Sequence, residues 1–129
     1  MSPLLQVSGL SLGIGRVDIL HDVGFEIGRG EAVGLVGESG SGKSMTALAI
    51  MGLEPDGVWR EGSVTLDGTE LPVRDDAAMS GIRGRRMAMV FQEPMTALDP
   101  VRTIGHQVGE GPRKHLKLSP SRCRASRSC

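Results

Sequence analysis

Gly37-Glu38-Ser39-Gly40-Ser41-Gly42-Lys43-Ser44 meets the pattern G-x-x-x-x-G-K-[ST] at every fixed position. Glycines in such a loop reach φ > 0 and let the backbone approach a ligand, so that successive N–H groups converge on phosphate oxygens. Lys43 is placed to reach the β and γ phosphates, Ser44 to offer its hydroxyl to Mg²⁺, and the start of the following helix to add unpaired amides and a positive dipole end. At average residue usage a chance match arises in about 1% of chains of this length. The flanks argue further against chance. Glu31-Ala32-Val33-Gly34-Leu35-Val36 is an apolar run of strand length, and Met45-Thr46-Ala47-Leu48-Ala49-Ile50-Met51 is rich in helix formers. A flexible Gly/Ser linker would not be bracketed by two apolar segments.

Working outward, Leu4 to Leu12 alternates loosely, and Asp18 to Ile27 carries Ile19, Leu20, Val23, Phe25 and Ile27 in strand-like order. Gly28-Arg29-Gly30 supplies a turn into the strand expected at 31–36. Beyond the helix, residues 62–71 read as a hairpin in which Asp67-Gly68 suits a type I′ turn. That turn accounts for Asp67 better than a magnesium-supporting role at the end of a strand, since no Glu follows it. Residues 77–82 suit a short helix. Arg86-Met87-Ala88-Met89-Val90-Phe91 is a further strand candidate ending at Gln92, and an amphipathic stretch over 101–108 is expected to stop near Gly111-Pro112. Gln92 is of interest because a neutral amide at a strand end can face a metal and a water at once.

Composition bounds the alternatives. The 129 residues suffice for one small domain, fewer than a full nucleotide-hydrolysing domain usually needs. Two Phe, one Trp and no Tyr leave aliphatic residues to fill the core and deprive any nucleic-acid module of stacking platforms. There is neither an 18-residue apolar run nor a secretory pattern, which predicts a cytosolic or membrane-protein-bound chain. The net charge of zero conceals a split: residues 1–110 hold 9 Lys/Arg against 15 Asp/Glu, net −6, and residues 111–129 hold 6 Lys/Arg and no acid, net +6. The Ser/Arg/Cys-rich end predicts a basic, disordered tail over 111–129. Its two cysteines, spaced C-x₅-C, fit no common metal site.

Val36 to Ser44, taken with Met89-Val90-Phe91-Gln92-Glu93-Pro94-Met95-Thr96-Ala97-Leu98-Asp99-Pro100, resembles the ATP-binding subunits of ABC transporters, and more narrowly their oligopeptide, dipeptide and nickel uptake group. The resemblance covers roughly residues 4–110, including Asp22-Val23-Gly24-Phe25-Glu26-Ile27. It implies an α/β fold, a P-loop NTPase core with an antiparallel β subdomain, truncated before the helical signature region. Gln92 would then be the lid glutamine that senses Mg²⁺ and the attacking water, serving as the catalytic position of this chain and, with Ser44, as a metal position. ATP and Mg²⁺ are the implied cofactors, with residues 37–44 as the binding loop. The implied partners are a second ATP-binding subunit, membrane permease subunits that meet the mobile segment after Gln92 and, indirectly, an extracytoplasmic solute-binding protein. No nucleic acid is expected, and the implied place is the cytoplasmic face of the membrane, as a peripheral subunit.

The chain departs from the family in two respects. The family stacks an aromatic side chain on adenine upstream of the loop, whereas Ser11-Leu12-Gly13-Ile14-Gly15-Arg16 contains none, so Ile14 is left to press on the base without a π-face. The family's signature motif, magnesium Asp, adjoining catalytic Glu and switch His all lie downstream of the lid glutamine, beyond the last residue here. Two functions follow: a subunit coupling ATP hydrolysis to uptake of peptides or a related solute, or a truncated nucleotide-binding fragment without turnover.

Overall fold

The computed structural model describes residues 2–92, 98–117, 119 and 121. The chain divides into two compact units, Met1–Met79 and Ser80–Cys129. Charge follows that division more sharply than it follows the sequence ends. The first unit carries 5 Lys/Arg against 12 Asp/Glu, net −7, and the second 10 against 3, net +7.

The first unit is built on strands β1 (Leu5–Ile14), β2 (Val17–Ile27), β3 (Val58–Leu66) and β4 (Thr69–Glu70), in the order β2-β1-β3-β4 with every neighbouring pair antiparallel. Helix α1 (Lys43–Met51) lies between β2 and β3 in the chain. β1 buries Val7, Leu10 and Leu12. Val7 and Leu10 are three residues apart, so strict alternation would turn them to opposite faces. A bulge resolves the conflict: the β1–β3 register shifts between Ser8 and Ser11, Gly9 takes φ 59° and Gly62 opposite takes φ 90°. The extra residue brings Leu10 back to the core, where it is fully buried with Val64. The β3–β4 hairpin turns at Asp67 (φ 52°) and Gly68 (φ 79°), both left-handed as a type I′ turn requires, and the Asp67 carboxylate pairs with Arg29.

Helix α1 is held at both ends. At its C-terminus Gly52 takes φ 66° and its N–H returns to the Ala49 and Leu48 carbonyls. There the Arg60 Nη1 of β3 donates to the Ala49 carbonyl at 3.1 Å and to Glu54 Oε1 at 2.8 Å. The Arg60 side chain is only 4% exposed and Glu54 13%, so this ion pair is desolvated and its partners depend on each other. Glu54→Ala leaves a buried guanidinium without its counter-charge and should cost about 3 kcal/mol in urea unfolding. The double variant Glu54→Ala/Arg60→Leu, which removes both charges, should recover much of that loss.

Helix α2 (Asp76–Ile82) closes the first unit and opens the second, with Asp75 accepting from the Ala78 amide at its start and Met79 fully buried. The second unit continues with α3 (Ile104–Val108) and α4 (Glu110–Leu116). The Thr103 side chain caps α3 by accepting from the His106 amide. Every buried apolar side chain among the described residues belongs to the first unit.

Three expectations differ from this architecture. Residues 31–36 carry no strand, and Leu35 and Val36 are 52% and 94% exposed. A run apolar on both faces becomes a strand only between two sheet neighbours, and none pairs with it among the described residues. Residues 86–91 likewise form no strand; one isolated bridge joins Arg83 and Met87, and Val90 is 97% exposed. Finally, Gly111-Pro112 does not stop the last helical stretch. α3 ends at Gly109, and Pro112 falls in the first turn of α4, where its missing N–H would have had no partner within the helix. Residues 110–116, at the start of the segment read as a tail, are therefore helical, whereas 118, 120 and 122–129 lie outside the described residues.

Candidate nucleotide site

The loop 37–44 joins residues 31–36 to α1 and folds around its own lysine. Lys43 Nζ donates to the Gly37 carbonyl at 2.5 Å, to the Glu38 carbonyl at 2.7 Å and to Ser41 Oγ at 3.2 Å, while the Ser41 amide closes a turn onto the Glu38 carbonyl at 3.1 Å. Gly40 (φ 82°) and Gly42 (φ 94°) supply the left-handed turns. The result is a short arc of backbone with an ammonium at its centre, where an anion would meet both the cation and the loop amides.

Gly37 and Gly42 are needed for different reasons. A Cβ on Gly37 would stand 2.6 Å from Ser41 Oγ and 3.7 Å from Lys43 Nζ, inside the arc itself. A Cβ on Gly42 would stand 2.4 Å from Leu20 Cδ2, so this glycine lets the loop rest directly on β2. Gly42 also begins α1 with no side-chain cap and no acid in the first turn, which leaves the leading amides free of a competing carboxylate. Thr46 then ties the loop to the helix from within. It is buried, and both its amide and its hydroxyl donate to the Gly42 carbonyl, at 2.9 and 2.8 Å. Sequence reading singled out neither Leu20 nor Thr46; Thr46 lies two residues past Ser44, and its burial was the missing signal.

Ser44 is exposed on the first turn of α1. Ile14 ends β1 and is 51% exposed. Its register opposite Val58, with Leu12 opposite Arg60, puts it on the same face as Leu12 and the α1-bound Arg60. That is the face on which the loop rests. The chain's one Trp is on the other: Trp59 covers Gly13, where a Cβ would come within 2.5 Å of the ring, and donates to the Gly15 carbonyl at 3.3 Å. Trp59 therefore supplies no aromatic platform beside Ile14. Gln92 is exposed and belongs to the second unit, and residues 93–97 of the segment expected to be mobile lie outside the described residues.

The ABC transporter family matches residues 20–127. This chain belongs to that family. Among ABC relatives, the probable D,D-dipeptide transport ATP-binding protein DdpD of Escherichia coli (strain K12) is 44% identical over 129 residues, covering 95% of this chain and 39% of that protein. The oligopeptide transport ATP-binding protein OppD of Mycobacterium tuberculosis (strain ATCC 25618 / H37Rv) is 44% identical over 119 residues, 89% of this chain and 19% of its own length. AppD of Bacillus subtilis (strain 168), also an oligopeptide transport ATP-binding protein, is 43% identical, with 97% and 40% covered. This chain thus spans between 19% and 40% of the length of these relatives. A bacterial Atm1-family ABC exporter with ATP bound has a TM-score of 0.54 and 24% identity, over 83% of this chain and 17% of that one, a likeness of fold. No helix among the described residues is long and apolar enough to cross a membrane.

Proposed function

We propose that this chain is the nucleotide-binding part of an ABC-type ATPase subunit that drives uptake of peptides or a related solute. The observation that carries the reading is the arc 37–42 closed on Lys43 at the uncapped start of α1. In this reading the core around that arc is the P-loop NTPase core, and residues 37–44 hold the triphosphate. Lys43 exchanges the Gly37 and Glu38 carbonyls for phosphate oxygens, and Ile14 rests against the base. The Ser44 hydroxyl would hold Mg²⁺, which when bound neutralises phosphate charge, and the resemblance gives Gln92 the part of sensing that ion. Gln92 orients water rather than removing its proton, since an amide is no base. A second ATP-binding subunit completes the site, and permease subunits at the cytoplasmic face of the membrane receive the work.

For the chain by itself a second reading, binding without turnover, is favoured by residues 31–36. They lead into the loop without a sheet partner among the described residues. Steady-state phosphate release and equilibrium ATP titration on the same preparation separate the two. Saturable ATP binding with release at the buffer background is the expected result. Release that disappears in Lys43→Ala would instead assign turnover to this chain, and absence of ATP binding by a folded sample would remove both readings.

A further inference from the structure

Three oxygens of the loop hold the Lys43 ammonium, and they are not alike. Two are the main-chain carbonyls of Gly37 and Glu38, at 2.5 and 2.7 Å, and the third is the Ser41 hydroxyl at 3.2 Å. An ammonium has three N–H groups, so these acceptors account for all of its donors. When the lysine turns from the Glu38 carbonyl, that oxygen keeps a second donor, the Ser41 amide at 3.1 Å. The Ser41 hydroxyl differs from both carbonyls in chemistry, because it accepts from Lys43 while its own proton stays available to another oxygen. Packing fixes its place. A Cβ on Gly37 would meet Ser41 Oγ at 2.6 Å and Ser41 Cβ at 3.2 Å, so the serine side chain lies against Gly37 and spans the arc. The pattern G-x-x-x-x-G-K-[ST] leaves position 41 open and so gives this hydroxyl no task.

We infer that Ser41 is a positioning residue for the triphosphate: its hydroxyl keeps Lys43 in the arc while phosphate oxygens take over from the two carbonyls, an inference that rests on the nucleotide reading of the loop. Lysine has a flexible four-carbon stem, and a stem already ordered in the free protein has less freedom to lose when the phosphates arrive. Of the three acceptors the hydroxyl is also the one that a substitution removes without disturbing the main chain. Its contribution is therefore separable from the shape of the loop.

Titration of the whole chain with ATP and with inorganic tripolyphosphate, both with Mg²⁺, tests the role. Ser41→Ala should weaken both ligands by about three- to tenfold, the range of one hydrogen bond expressed as an equilibrium constant. The two losses should be equal, since the hydroxyl acts on phosphates through Lys43 and not on the base. Ser41→Thr keeps the hydroxyl and should stay within about twofold of the parent. A double-mutant cycle with Lys43→Ala separates positioning from loop structure, because without the ammonium nothing is left to position. Titrated to ligand concentrations that saturate the lysine variant, Ser41→Ala/Lys43→Ala should differ from Lys43→Ala by less than about twofold. Full affinity in Ser41→Ala, a loss for ATP alone, a loss repeated in Ser41→Thr, or a loss undiminished in the Lys43→Ala background would each overturn the inference while nucleotide binding itself stands. Absence of ATP binding by the folded parent would remove the reading of the loop along with it. If Ser41→Ala does not fold, Ser41→Cys, whose thiol is a weak acceptor, takes its place with the same expected loss.

Discussion

Lys43→Ala should weaken ATP binding by about 30- to 1000-fold, the 2 to 4 kcal/mol carried by a desolvated cation on a polyanion. The first unit is acidic, net −7. Near the loop, Lys43 is the cation that the backbone arc surrounds, and Glu38 stands in the same loop. Attraction for the triphosphate therefore depends on one side chain and the amides around it. Loss of the lysine should scarcely alter the fold, because the carbonyls of Gly37 and Glu38 belong to exposed residues and water replaces the ammonium. Isothermal titration together with a melting curve checks both halves. A large affinity loss with a shift in Tm of no more than a few degrees is expected, and retained affinity would remove Lys43 from the site.

Gly62→Val should unfold the first unit or cost it about 2 to 6 kcal/mol. Two terms add. Gly62 sits at φ 90°, a region that costs a β-branched residue roughly 1–3 kcal/mol. Its new Cβ would also stand 2.4 Å from the Gly9 carbonyl oxygen and 2.6 Å from that of Ser8, both backbone atoms of the neighbouring strand, and forced overpacking costs roughly 1–3 kcal/mol more. Relief would require β1 to move, and with it Leu10 and Leu12, which are fully buried. Gly57→Val offers the contrast: its φ is 84°, yet a Cβ there meets nothing within 4 Å, so strain acts without collision and the loss should be about half. Urea unfolding of the two variants side by side checks the prediction, and equal losses would show that the bulge is not a packed feature.

Local chemistry made much of this legible. The Asp67-Gly68 turn, the helix after Lys43 and the two strands before the loop were all marked by residues adjacent in sequence, and the structure places β1, β2, β3, β4 and α1 there. What could not be read was set by neighbours distant in sequence. Leu10 reaches the core only because Gly62, 52 residues later, permits a bulge at Gly9. Arg60 lay outside the hairpin expected at 62–71, and its burial is set by Ala49 and Glu54, to which it donates. Residues 31–36 read as a strand because composition records a preference for burial, not the presence of a partner. At the nucleotide site the loop was legible residue by residue, whereas its seating on Leu20 and its tether through Thr46 depend on packing.

That apolar, proline-free stretch, residues 31–36, has a cost of its own. Unladdered N–H and C=O groups beside Val33, Leu35 and Val36 make residues 31–36 a nucleus for aggregation, able to stack copy upon copy through main-chain bonds. Glu31 and Glu38 act as gatekeepers at its two ends, keeping copies apart by repulsion that salt screens. Light scattering by the chain is accordingly expected to rise with concentration and with added salt.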